Sequence, residues 1–108
     1  MGPARVVVGE GKVSLIQDLR AKRHEIEAVA ARHGAGNVEV FGSVARREET
    51  DRSDIDLLVD IVAEPGPWFP GGLAADLEDL LGRRVQIIIR RSLSPLIREA
   101  VLKEAAPL

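Results

Sequence analysis

Apolar residues recur along this chain at two different periods, and the changes of period divide it into alternating helices and strands. From Ser14 to about His33, Leu15, Ile16, Leu19, Ile26, Val29 and Ala30 fall on one recurring face, so the spacing predicts a single helix with Gly34 as its stop. Val38-Glu39-Val40-Phe41 is a short β-rich run bounded by Gly34, Gly36 and Asn37, and reads as a strand. Ile55 to Ile61 alternates, with Ile55, Leu57, Val59 and Ile61 on one face and Asp54 and Asp56 sharing the other. Pro65 to Gly72 is rich in breakers, and after it Leu73, Leu77, Leu80 and Leu81 mark a helix ended by Gly82. Arg84 to Ile89 is a third strand. Ser94-Pro95 then opens a last helix through Glu104, with serine as cap and proline in the first turn. There is no internal repeat or low-complexity tract. The expected fold is α/β (α+β): a small mixed sheet, helices packed mainly on one face, and an exposed sheet end for a site. Strand order does not follow from the spacing.

Length and composition narrow what such a fold can do. With 108 residues the chain is expected to be one domain with one modest core, residues 14–108, behind a flexible arm over 1–13 that is at best a short edge strand through Arg5 to Val8. A formal charge of −2 gives no reason to expect general affinity for nucleic acid. Without cysteine there is no disulfide, zinc thiolate or thiol nucleophile. No apolar run approaches the length of a membrane span, and the glycine-broken start MGPARVVVGEGK does not resemble a signal peptide, so the expected location is cytoplasmic.

The candidate chemistry lies in GSVARREETDRSDID, Gly42 to Asp56. A glycine-opened turn allows backbone N–H groups to approach phosphate, and Ser43 can cap a short helical turn from Val44 to Arg47. Asp54 and Asp56 stand one strand period apart on a shared face. Two adjacent carboxylates repel and lose solvation, so a fold that brings them together near its core implies a cation. Magnesium fits, because it prefers hard oxygen ligands, few from protein and the rest from water and substrate phosphate. Arg46 and Arg47 start the loop that must pass this site, which makes them candidates for phosphate contact.

These residues carry a resemblance. Gly42-Ser43, a ten-residue gap, then Asp54-Ile55-Asp56, within VFGSVAR and SDIDLLVD, resembles the minimal nucleotidyltransferase family, the short relatives of the DNA polymerase beta nucleotidyltransferase superfamily. More loosely, the similarity runs from Leu15 to Leu108. It implies the nucleotidyltransferase fold, with Gly42 and Ser43 on the nucleotide phosphates and Asp54 and Asp56 binding metal. It also implies ATP as substrate and a HEPN-domain toxin as partner, since minimal nucleotidyltransferases commonly serve as antitoxins that add AMP to a tyrosine of a ribonuclease toxin. One departure concerns a third metal carboxylate that the family usually carries on a following strand. In the corresponding run Val85-Gln86-Ile87-Ile88, Gln86 holds the right face and brings no charge. Asp60 shares the parity of Asp56, but four residues of strand put it about 13 Å away, so it reads as a strand-end surface residue.

A chain this short has a triphosphate and metal platform and no room for a separate acceptor domain, so the acceptor is expected to be another protein. The leading expectation is therefore a Mg²⁺-dependent adenylyl transfer from ATP to a hydroxyl of a partner toxin, with Asp54 and Asp56 on the metal and Gly42, Ser43, Arg46 and Arg47 on the nucleotide. The alternative is a catalytically weakened module that neutralises the toxin by binding it, which Gln86 favours. A self-contained transferase acting on a small molecule or nucleic acid is a third reading, against which the missing acceptor domain argues. His24 and His33, nine apart on one helix and about 180° from each other around its axis, cannot share a metal. Trp68-Phe69 is expected to pack as a lid over the core.

Overall fold

The computed structural model describes residues 14–108, so the expected arm over 1–13 and its edge strand lie outside the described residues. Helices α1 (Leu15–Ala21) and α2 (Arg23–Arg32) come first, then strands β1 (Ala35–Phe41) and β2 (Ile55–Ile61), helix α3 (Gly71–Leu81), strand β3 (Val85–Ile89), a 3-10 turn (Arg90–Ser92), helix α4 (Pro95–Glu104) and a two-residue strand β4 (Ala106–Pro107). The sheet order is β3-β2-β1-β4. β1 runs antiparallel to β2 and β4, and β2 runs parallel to β3, so the sheet is mixed as expected.

The helix expected from Ser14 to His33 is two helices. Ser14 does cap it, accepting from the Gln17 N–H, but at Lys22 the backbone leaves helical geometry and its N–H turns back to Arg20 and Leu19 carbonyls. The apolar stripe explains the break: between Leu19 and Ile26 it is interrupted by Lys22-Arg23-His24-Glu25, which have no core to hold them in register. On either side of the break Ile16, Leu19, Ile26, Val29 and Ala30 are buried against the sheet.

The core lies between these helices, α3 and one sheet face. Val40, Ile55, Leu57 and Val59 from the sheet meet Leu73 and Leu77 of α3, all fully buried, and each such side chain contributes roughly 1.5–3 kcal/mol. α3 stops where expected, at Gly82 with φ 70°, a left-handed position that glycine reaches without steric penalty. Phe69 packs against the core as the lid reading anticipated. Trp68 does not: it is 80% exposed, because the Pro67 to Pro70 turn gives only one of two adjacent side chains the inward direction. The acidic face of β2 is not all surface either, since Leu58 is fully buried there and the 3-10 turn packs against this strand.

β1 starts earlier than expected, at Ala35, because Gly36 and Asn37 form an irregularity inside the strand instead of preceding it. Asn37 has φ 53°, and its side chain donates to Asp60 at 2.8 Å, while Arg90 reaches across to the Asn37 carbonyl and the Glu39 carboxylate, each at 2.9 Å, and to Asp60. Asp60 is thus a structural ion-pair residue at the sheet end remote from the acidic pair. The Asn37 hydrogen bond, helped by Arg90, holds its carboxyl below the usual range. Such a group stabilises the fold above its unfolded-state pKa and stops doing so as pH falls through its folded value. Asp60→Asn is therefore expected to lower stability near neutral pH by about 1 kcal/mol, a figure reduced for solvent screening because the side chain is 37% exposed. In denaturant melts the gap to wild type should narrow as pH falls below the ordinary aspartate range.

Candidate active site

The end of β1 and the starts of β2 and β3 meet at one edge of the sheet, which brings Gly42, Asp56 and Gln86 together. Phe41 pairs with Asp56 in the antiparallel register, and Asp56 pairs with Gln86 in the parallel one. Gly42 follows immediately at φ 75°. A Cβ added there would lie 2.5 Å from the Asp56 Oδ2, so only glycine lets the turn pass this close to the carboxylate. The turn closes by backbone bonds, Arg46 N–H to the Gly42 carbonyl at 3.1 Å and Glu48 N–H to the Ser43 carbonyl at 2.8 Å, and the N–H groups of Ser43 to Ala45 precede its first bond. Residues 42–47 form turns and not the expected helical turn. Val44 fixes their position by inserting, fully buried, into the core.

Electrostatics tie the two acids to each other. Burial pushes the Asp56 carboxyl up, and the nearby charge of Asp54 pushes it further, with Arg46 acting in the opposite sense. Asp54 accepts a hydrogen bond from the Gln86 Nε2 at 3.1 Å, and Arg84 lies 3.8 Å from its other oxygen. The parity that placed Gln86 beside the acids thus describes its position correctly. Among the described residues no three His, Cys, Asp or Glu side chains converge as a complete ligand set. Two hard carboxylates beside an open turn nevertheless suit a cation of the magnesium type, which takes its remaining ligands from water and phosphate.

The two arginines part company. Arg46 points to the site, with its Nη1 at 2.8 Å from Glu104 and its Nε at 3.0 Å from Glu48. Arg47, at φ 61°, instead lines a separate cavity of about 530 Å³ with Ser14, Asp18, Glu49 and Arg83. The histidines are also apart, His33 pairing with Asp76 at 2.7 Å.

Sequence reasoning missed Glu104. Its Oε1 accepts the Gly42 N–H at 3.0 Å while its Oε2 holds Arg46, so both oxygens serve the turn. The hydrogen bond from Arg46, with that from Gly42, keeps this carboxyl below its ordinary range. No signal in the sequence could have found it, since it depends on the two-residue β4: Val40 pairs with Ala106 and Glu39 with Pro107, and that antiparallel register continued by two residues sets Glu104 opposite Gly42. The Arg20 side chain anchors the same tail through the Pro107 carbonyl at 3.0 and 3.2 Å.

Comparison with known proteins shows the family and the fold. The family described as "Polymerase beta, Nucleotidyltransferase" matches residues 16–108. The protein adenylyltransferase MntA of Thermococcus cleftensis is 36% identical over 88 residues, covering 74% of this chain and 89% of that protein. A solved structure provisionally named a minimal nucleotidyltransferase superposes with a TM-score of 0.76 at 46% identity, covering 91% of this chain and all of that one. A toxin–antitoxin crystal structure with AMP-PNP shares the fold, with a TM-score of 0.65 at 21% identity over 78% of this chain and 69% of that one. With the glycine turn, the paired acids and the mixed sheet in place, this chain belongs to the polymerase beta nucleotidyltransferase family.

Proposed function

We propose that the protein is a Mg²⁺-dependent protein adenylyltransferase that moves AMP from ATP to a hydroxyl of a HEPN-domain toxin, for which it serves as antitoxin. The single observation that carries the reading is the close approach of Asp56 to the Gly42 turn, where its carboxylate oxygen sits too close to admit any Cβ, with the charge of Asp54 near enough to act on it. Support for the acceptor class comes from the relative named a protein adenylyltransferase, and support for the toxin from the fold shared with a toxin–antitoxin structure.

In this reading Asp54 and Asp56 hold the cation, and Gly42, Ser43 and Arg46 bind and orient the phosphates. When bound, the magnesium offsets charge on the triphosphate and lowers the pKa of an attacking hydroxyl. The chain's own part is positioning: the turn fixes the phosphate against the acids, and the acceptor hydroxyl attacks the α-phosphorus as pyrophosphate leaves. Arg47, facing another cavity, has no role in this account.

A second reading has a specific observation behind it. Gln86 stands opposite Asp56 and donates its amide to Asp54, and on this reading it takes the position of the third carboxylate that would help to activate the nucleophile. A binding module that covers the toxin without modifying it would keep the fold and tolerate this amide.

Incubation of the purified protein with labelled ATP, Mg²⁺ and the product of its neighbouring reading frame separates the two. Label on a hydroxyl of that product is the expected result. Stable association without label would overturn the transfer reading in favour of the module. Gln86→Asp is expected to raise transfer about 10-fold, since it restores a charged ligand and general-base capacity beside the acids. No gain in initial rate would mean that Gln86 is not the limiting departure.

A further inference from the structure

The candidate phosphate seat already holds an anion. Gly42 N–H and the Arg46 guanidinium, the donors expected to meet a nucleotide phosphate, both point to the carboxylate of Glu104, at 3.0 and 2.8 Å. A carboxylate and a phosphate oxygen seek the same partners, namely backbone N–H groups and arginine forks. Glu104 arrives from the opposite end of the chain, set in place by the register of β4 against β1.

We propose that Glu104 is an internal phosphate mimic that closes the nucleotide seat until a triphosphate displaces it, an inference that rests on the nucleotide-binding reading above. Both groups can exchange partners at little structural expense. Arg46 keeps Glu48 at 3.0 Å when Glu104 leaves, and the Glu104 side chain, 31% exposed, has solvent beside it to turn into. The helix that carries Glu104 opposes the movement weakly, because no residue of α4 is buried and Leu96 is 94% exposed. The seat is thus filled and neutralised in the free protein, and a nucleotide binds by competition with a tethered carboxylate. Competition of this kind raises the apparent Kd by the reciprocal of the fraction of time the seat is open.

Calorimetric titration of wild type, Glu104→Gln and Glu104→Ala with Mg-ATP, and separately with inorganic triphosphate, tests the assignment. Glu104→Ala is expected to bind both ligands about 5- to 20-fold more tightly than wild type, with Glu104→Gln between them because its amide oxygen keeps the Gly42 contact without the charge. Tightening by inorganic triphosphate as well as ATP would locate the competition at the phosphates. If wild type binds and Glu104→Ala binds equally, the mimic is refuted and the nucleotide site stands. Weaker binding by the variants would also refute it and would make Glu104 a supporting ligand. If all three proteins, shown folded by circular dichroism, fail to bind either ligand, the nucleotide site itself is refuted and the inference with it.

Discussion

Replacing Asp56 by asparagine is expected to lower AMP transfer by at least about 1,000-fold while leaving the melting temperature unchanged or higher. The loss follows from its place: Asp56 faces the glycine turn directly, and on the proposed reading it is one of the two acids that would hold the cation. The stability effect has the opposite sign, and the pKa direction fixes it. Burial and then the charge of Asp54 raise this carboxyl in the fold, so ionisation is harder in the native state than in the unfolded chain. A raised carboxylate pKa means that the group's contribution to stability falls as pH rises between its unfolded and folded values. At neutral pH the full penalty is present, and asparagine removes it. Asp54→Asn should abolish transfer as well, and by removing the like charge should let the Asp56 pKa fall. Initial-rate assays with labelled ATP, paired with thermal melts at neutral pH, check both halves. A variant that stays active would show that these acids are not the centre of the chemistry, and one that unfolds would show that they are structural.

Gly42→Ala should be nearly as damaging to transfer, by about 100-fold, for a geometric reason. The new methyl would meet Asp56 Oδ2 at 2.5 Å, and at φ 75° the alanine is also strained, at about 1–2 kcal/mol. The nearest atom belongs to the end of a side chain, so the fold can yield by rotating Asp56 away. That response preserves the domain and misplaces the acid, and displacement of a positioning group by about 1 Å costs about 100-fold in rate. Melting temperature should drop modestly while transfer collapses. Comparable losses in both, or a neutral outcome in both, would argue against close passage of the turn by the acid.

The sequence made the near-site architecture readable because that part rests on local chemistry. The every-second-residue spacing of Ile55, Leu57 and Val59 in β2 set Asp56 on the other face, Gly82 marked the end of α3, and Ser94-Pro95 marked the start of α4. The elements that escaped are those fixed by distant partners. The two residues of β4 are too short to display a period, and their pairing with β1 is what delivers Glu104 to Gly42. Lys22 broke a helix whose propensity is continuous, because the apolar stripe and not the propensity ties α1 and α2 to the sheet. Arg46 and Arg47 are indistinguishable as letters, and only the turn's backbone sends one to Glu104 beside Gly42 and the other to a separate cavity.

Strand β3 occupies one border of the sheet and, among the described residues, has no strand on its outer side. Its five residues, Val-Gln-Ile-Ile-Ile, are the kind that recruit another copy through unsatisfied main-chain groups. Arg83-Arg84 precedes them and Arg90-Arg91 follows. Because Arg90 is already paired with Glu39 and Asp60, antiparallel docking of two such borders would bring the Arg83-Arg84 doublet of one copy toward Arg91 of the other at each end, a like-charge approach of the kind that keeps an aggregation-prone ribbon from self-association.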